Sequence, residues 1–159
     1  MKVKAAMADI GIIEWNAGYH QDFISISKQW LEQYVSVEPE DLKILNNPQE
    51  TVLDKGGNIF FARYNDKVIG TVAMIKLNQN IFELAKLGVA EQYKGLKIGS
   101  LLMKAGLDFA EQSGADKVIL YTNRKLVPAI SLYRKFGFVE IPLENNKYVE
   151  SDMKMEIMF

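Results

Sequence analysis

Cysteine is absent from the chain and histidine occurs once, as His20. Without thiols there is no disulfide, no thiolate metal ligand and no cysteine nucleophile. One imidazole cannot supply the several Cys or His ligands of a typical zinc site. A Ser-His-Asp arrangement would have to recruit His20, and no Gly-x-Ser-x-Gly turn accompanies it. Hydrolysis by the usual metal or triad routes is therefore disfavoured. Proline is scarce, at four residues, and no Pro/Gly-rich linker, biased tract or internal repeat divides the chain. No apolar run approaches the ~20 residues of a membrane span, and the apolar stretch at the N-terminus is too short for a signal peptide. Neither charge is in excess. Lys plus Arg is 19 and Asp plus Glu is 20, a net charge of −1, so no global field draws the chain to nucleic acid or anionic lipid. The 159 residues, 48% hydrophobic and 25% charged, have the size and composition of one globular domain, residues 1–159. A cytoplasmic protein without metal, nucleic-acid partner or membrane partner is the expectation.

Apolar periodicity predicts the elements. Ile10–Glu14 reads as a strand and Tyr19–Tyr34 as a helix, with Phe23, Ile26, Trp30 and Tyr34 three and four residues apart. A short helix is predicted near Glu40–Leu45. Ile59–Tyr64, Lys67–Lys76 and Ile81–Val89 are β-rich runs, the first two joined by Asn65-Asp66, a pair suited to a tight turn. Ile98–Gln112 reads as a helix ended by Gly114, and Lys117–Tyr121 as a strand. Pro128 opens a helix that runs to Phe136 and stops at Gly137. Phe138–Leu143 and Tyr148–Met158 read as closing strands. Hairpins demand antiparallel pairing, while Ile81–Val89 and Lys117–Tyr121 flank one helix and can pair in parallel.

The segment from Glu83 to Leu102 leads a strand through a glycine turn into a helix. A helix start offers unpaired N–H groups and a positive dipole end, which suits a phosphate. Gly95 and Gly99 have neither Walker A nor Gly-x-Gly-x-x-Gly spacing. Lys86, Lys94, Lys97 and Lys104 stand against Glu91 alone, a local balance of +3, and Arg124, Lys125, Arg134 and Lys135 follow, so the ligand here is expected to be anionic. A plain strand-turn-helix with a solvated basic face is the alternative.

This segment resembles the acyl-CoA-binding motif of the GNAT N-acetyltransferases, Gln/Arg-x-x-Gly-x-Gly/Ala. Gln92 and Gly95 match, Lys97 stands where Gly or Ala is usual, and Gly99 is the further glycine many members carry. Ala129-Ile130-Ser131-Leu132-Tyr133-Arg134-Lys135-Phe136-Gly137-Phe138 resembles the family's second signature, and Gly70 in Val68-Ile69-Gly70-Thr71 also fits. The resemblance implies a mixed α/β (α+β) fold with a central, mostly antiparallel six- to seven-stranded sheet flanked by about four helices. It implies acetyl-CoA as donor, and direct acetyl transfer to a primary amine of a small molecule or peptide. Donor-binding residues would be Leu87, Gly88, Val89, Gln92, Lys94, Gly95, Leu96, Lys97, Ile98, Gly99 and Ser100. The Leu87 N–H would face the thioester carbonyl, and Gly88 would allow a bulge. A helix-start backbone is not expected to require glycine at Lys97. Family members often form homodimers, but no interface is legible here.

The resemblance gives Tyr133 the position of the acid that protonates the departing thiolate. Helical spacing with Ala129, Ile130 and Phe136 reads it equally as core. Glu83 matches the position of the base in some members. Strand alternation puts Glu83, Ala85, Leu87 and Val89 on one side, so Glu83 would be a carboxylate on an apolar face; a strand-end residue in solvent is the alternative. Tyr148, Glu150 and Asp152 compete for the role. Six acids from Glu32 to Asp54 against Lys43 make a wall of −5, which favours a cationic acceptor unless it is a solvated loop. Trp15, Tyr19, His20 and Trp30 are candidate pocket residues, with His20 read as structural. A non-catalytic acyl-CoA-binding module and a toxin-like acetyltransferase of aminoacyl-tRNA remain as rival readings.

Overall fold

The structure, a computed structural model, describes residues 9–95 and 97–159. In chain order these form β1 (Ile10–Glu14), α1 (His20–Tyr34), α2 (Pro39–Asn46), β2 (Asn58–Tyr64), β3 (Lys67–Lys76), β4 (Ile81–Val89), α3 (Ile98–Gln112), β5 (Lys117–Thr122), α4 (Val127–Phe136), β6 (Val139–Ile141) and β7 (Met153–Met158). A π-helical turn at Gln49–Leu53, which periodicity does not announce, joins α2 to β2. The strands make one sheet in the order β1-β2-β3-β4-β5-β7-β6. The β4–β5 pair is parallel and its other neighbours are antiparallel.

The near-continuous apolar runs of β2 to β4 follow from burial on both faces. Phe60, Val72, Met74, Phe82 and Leu84 pack towards α3 with Leu102 and Met103. Ile59, Phe61, Ala73 and Ile75 pack on the other face with Phe23 and Ile26 of α1 and Ile44 and Leu45 of α2. Pro39 stands at the start of α2, where Glu38 and Asp41 exchange side-chain and backbone hydrogen bonds as a capping box. Gly70 is a close-approach point. A Cβ there would lie 2.9 Å from Leu102 Cδ1, 3.2 Å from Ile98 Cγ2 and 3.3 Å from the Gly88 carbonyl oxygen, so only glycine lets α3 settle on β3 and β4.

Two expectations are corrected. The closing strand begins at Met153, not Tyr148. The N–H groups of Val149 and Glu150 donate to the Glu38 carboxylate at 2.6 and 3.0 Å, and that of Tyr148 to Asn146 Oδ1, so this segment is an arm rather than a strand. The alternation along β4 also breaks. Lys86 takes φ 54°, and the β3–β4 register shifts between Thr71 and Ala73, so the bulge sits at Lys86 and not at Gly88. Glu83 and Ala85 therefore lie on the α1–α2 side, whereas Leu87 and Val89 pack against the α3-side core. Gly88 faces α1 with ordinary room, a Cβ there lying 3.5 Å from Trp30 Cβ.

Candidate active site

The β4–β5 pairing covers only Ile81–Glu83 against Lys117–Ile119, and the strands part beyond it. The Ala90 N–H donates to the Ile69 carbonyl on β3 at 2.8 Å. Counting back by the alternation of a strand, the N–H groups of Val89 and Leu87 point to the opposite, open edge. This edge borders a groove of about 430 Å³ that reaches the start of α3 and the first turns of α4. Leu87, Gly88, Val89, Lys94, Gly95, Lys97, Ile98, Gly99 and Ser100 all line it. Gln92 has an exposed side chain in the turn at Glu91–Tyr93 and does not line it. Leu96 lies outside the described residues.

The helix start is built differently from expectation. Lys97 is the N-cap of α3 in a left-handed conformation, φ 59° and ψ 23°, and no side chain caps the helix. The position thus does favour glycine. The first turn of α3 leaves N–H groups without intrahelical partners at the groove. The predicted +3 balance also divides. Lys94 and Lys97 line the groove, whereas Lys104 pairs with Asp108 at 2.7 Å and Lys86 turns inward to Asp41. Lys94 itself contacts Glu91 at 2.8 Å and lies 5.5 Å from the Tyr34 ring centre.

A second cavity of about 90 Å³ adjoins the groove, and Leu87 lines both. Glu83 and Tyr133 line this cavity together. Glu83 is not in solvent; only 1% of it is exposed. The Tyr148 hydroxyl donates to its Oε2 at 3.2 Å, and the Lys147 ammonium lies 2.7 Å from Oε1 without the alignment of a hydrogen bond. Tyr133 is buried against Phe138. Burial raises the Tyr133 phenol well above its ordinary pKa, so it is a proton-bearing donor at neutral pH. Tyr148 is raised in the same way by burial, and further by the Glu83 and Asp41 carboxylates.

The side chains of Lys86 and Asp41 form an ion pair that is almost wholly buried, at 4% and 5% exposure. Periodicity missed this pair, although a lysine inside an apolar strand run and an acid at the third position of a helix are both visible signals. The acidic segment is not a free wall. Glu38 accepts the arm's N–H groups, Asp41 holds Lys86, and Glu150 from the arm accepts the Ser36 N–H and hydroxyl at 2.8 Å each. Those two bonds hold the Glu150 carboxyl below the usual range. Of the competing bases, Tyr148 and Glu150 line the cavity; Asp152 does not and accepts the Arg124 N–H at 2.9 Å. Trp30 lines both spaces. Trp15 and Tyr19 pack on Phe61, and His20 contacts the Leu45 carbonyl through Nε2 at 2.7 Å, a structural role.

A profile of the acetyltransferase (GNAT) family matches residues 20–138. Mycothiol acetyltransferase of Corynebacterium aurimucosum is 40% identical over 70 residues, which are 44% of this chain and 23% of that protein. The chain spans about a quarter of the length of the leading curated relatives it matches. A GNAT-family acetyltransferase from Staphylococcus aureus Mu50 superposes with a TM-score of 0.84 at 26% identity, covering 92% of this chain and 97% of that one. PaiA N-acetyltransferase from Thermoplasma acidophilum, solved with coenzyme A, superposes at 0.73 with 18% identity over 94% of this chain and 99% of that one, a likeness of fold.

Proposed function

The chain belongs to the acetyltransferase (GNAT) family, and from that premise we propose that it is an acetyl-CoA-dependent N-acetyltransferase acting on a primary amine of a small molecule or peptide. The observation that carries this reading is the meeting, at Leu87, of an open strand edge and uncapped helix start on one side with a cavity holding Glu83 and Tyr133 on the other. The residues fit an acyl-CoA. The N–H groups of Leu87 and Val89 suit an extended amide chain, as in strand addition, and the uncapped start of α3 with Lys94 and Lys97 suits a diphosphate. Gly88, Gly95, Ile98, Gly99 and Ser100 complete the proposed donor site. Bound acetyl-CoA supplies an activated acetyl thioester.

In this reading the Leu87 N–H donates to the oxygen that gains charge at the reacting carbonyl. Glu83 takes the proton that the acceptor ammonium must lose before it is a nucleophile. Tyr133 supplies a proton to the departing sulfur; its raised pKa keeps that proton in place until charge develops nearby. The cytoplasm is the proposed location. The reading is tested by incubating the protein with acetyl-CoA and a panel of amines while following free thiol, with donor binding measured separately by calorimetry. Donor binding without amine-dependent thiol release would favour a binding module instead.

A further inference from the structure

Both oxygens of the Glu83 carboxylate are taken up by one short stretch of chain. The Tyr148 hydroxyl donates to Oε2 at 3.2 Å, and the Lys147 ammonium lies 2.7 Å from Oε1. Both residues belong to the arm before β7. Glu38 accepts the arm's Val149 and Glu150 N–H groups, and Ser36 donates to its Glu150 carboxylate. The pair is unequal, since Glu83 is buried while the Lys147 side chain is 32% exposed. Lys86, the other lysine near this cavity, is buried and committed to Asp41. Lys147 instead reaches a buried acid from the surface, its ammonium 5.5 Å from the Tyr148 ring centre.

A primary ammonium on this carboxylate is the arrangement that the transfer needs. An acceptor amine arrives as a cation and must lose a proton to a base. Glu83 and Leu87 line the same cavity, so an amine held by Glu83 shares it with the backbone proposed to receive the thioester oxygen. That cavity measures about 90 Å³, whereas sites for free small molecules usually run to roughly 300 Å³ or more. Tyr148, Glu150 and Ser151 of the arm are among its walls. With the arm in place the space suits a slender alkylammonium, and the arm itself carries one. We propose that Lys147 is a site of self-acetylation, the chain serving as its own acceptor in cis. The proposal rests on the transferase reading. The Lys147 ammonium gives one proton to Glu83, and the neutral amine attacks the thioester carbon. A carbon–nitrogen bond forms and the carbon–sulfur bond breaks. The sulfur leaves with the electron pair and takes a proton from Tyr133. The nitrogen's second proton restores the phenol, and the proton on Glu83 passes to solvent. The products are Nε-acetyl-lysine, the free coenzyme A thiol and one proton.

The test incubates the full chain with acetyl-CoA and no added amine, follows free thiol and maps acetylated lysines by mass spectrometry. Direct chemical acetylation by a thioester favours exposed lysines, so Lys43 and Lys104, with side chains 68% and 70% exposed, are internal references. Lys147 should gain an acetyl group ahead of both, with a matching equivalent of thiol. At saturating acetyl-CoA its half-time should hold over an about tenfold dilution of protein, as for an intramolecular step. Glu83→Gln should slow Lys147 about tenfold or more and leave Lys43 and Lys104 at the parent's rates. Lys147→Arg keeps a cation beside Glu83 and should remove the early equivalent of thiol. The proposal is overturned if Lys147 stays unmodified, lags the reference lysines or is acetylated as fast in Glu83→Gln. A rate that rises with protein concentration also overturns it, because acetylation then passes between chains. Where added amines release thiol and Lys147 stays bare, the transferase reading stands and this inference falls. Where acetyl-CoA binds and neither Lys147 nor any amine is acetylated, the transferase reading falls with it.

Discussion

Replacing Lys97 by glycine should make the protein more stable and a weaker binder of its donor at once. Lys97 caps α3 at φ 59°, a left-handed conformation that costs an L-residue roughly 1–2 kcal/mol. Glycine carries no such penalty, but its unfolded chain is freer, which takes back about 0.5–1 kcal/mol. The lysine makes no side-chain cap and is exposed, so little packing is lost. The net gain is about 0.5–1 kcal/mol, which for a domain of this length raises Tm by about 1–4 °C. Lys97 also lines the groove assigned to a polyanionic ligand. Losing its charge should weaken acetyl-CoA about three- to tenfold at low salt, and less as salt screens it. Thermal scanning reads the first effect and calorimetry at two ionic strengths the second. Lys97→Ala separates them, because it removes the charge and keeps the strained backbone. A lower Tm for Lys97→Gly would refute the strain argument, and an unchanged low-salt affinity would place the diphosphate elsewhere.

Tyr133→Phe keeps the buried ring and should lower kcat by ~10²-fold with little change in KM, measured at saturating substrates; an unchanged kcat would leave Tyr133 as packing. Because burial raises its pKa, native stability should fall as pH climbs above about 10, where the unfolded phenol begins to ionise, and Tyr133→Phe should soften that fall in pH-dependent unfolding. Glu83→Gln should reduce kcat/KM at neutral pH by roughly 10–10³-fold, with the loss shrinking at higher pH as more acceptor amine is already neutral. A profile overlaying the parent from about pH 6 to 9 would move the base to Glu150, which shares the cavity. Asp41→Ala strands the Lys86 ammonium in the interior and should cost about 3–5 kcal/mol, on the order of 10 °C in Tm. Adding Lys86→Met should recover most of it; no recovery would mean that Asp41 acts mainly through the α2 cap.

Elements with long apolar periodicity were legible. α3 runs over the residues its spacing predicts, β3 and β4 likewise, and the parallel β4–β5 pair follows from the intervening helix. Most of the groove proposed for the donor was legible too, because a glycine turn between a strand and a helix is a local device. The cavity was legible only in part. Alternation assumes a regular strand, and one left-handed residue at Lys86 sends Leu87 to the face opposite Glu83. The arm read as a strand up to Met153 because β-propensity cannot register that Glu38, over a hundred residues earlier, takes its N–H groups. Lys147 carries no signal in sequence at all. A lysine in a polar stretch looks the same whether its ammonium meets solvent or a buried carboxylate.

The contact at Gly70 bears on how such a site can drift. The residue has no side chain to meet a ligand and lines neither the groove nor the cavity. Yet Ile98 of α3 and the Gly88 carbonyl of β4 both rest against it, and both Ile98 and Gly88 border the groove. The spacing between the open strand edge and the helix start is thereby fixed from behind, by steric exclusion at a point where matter is missing. Adding one methyl group there would push the two sides of the groove apart without altering any group that faces it. The chemistry of the groove and its width are thus written in different parts of the chain and are free to change separately.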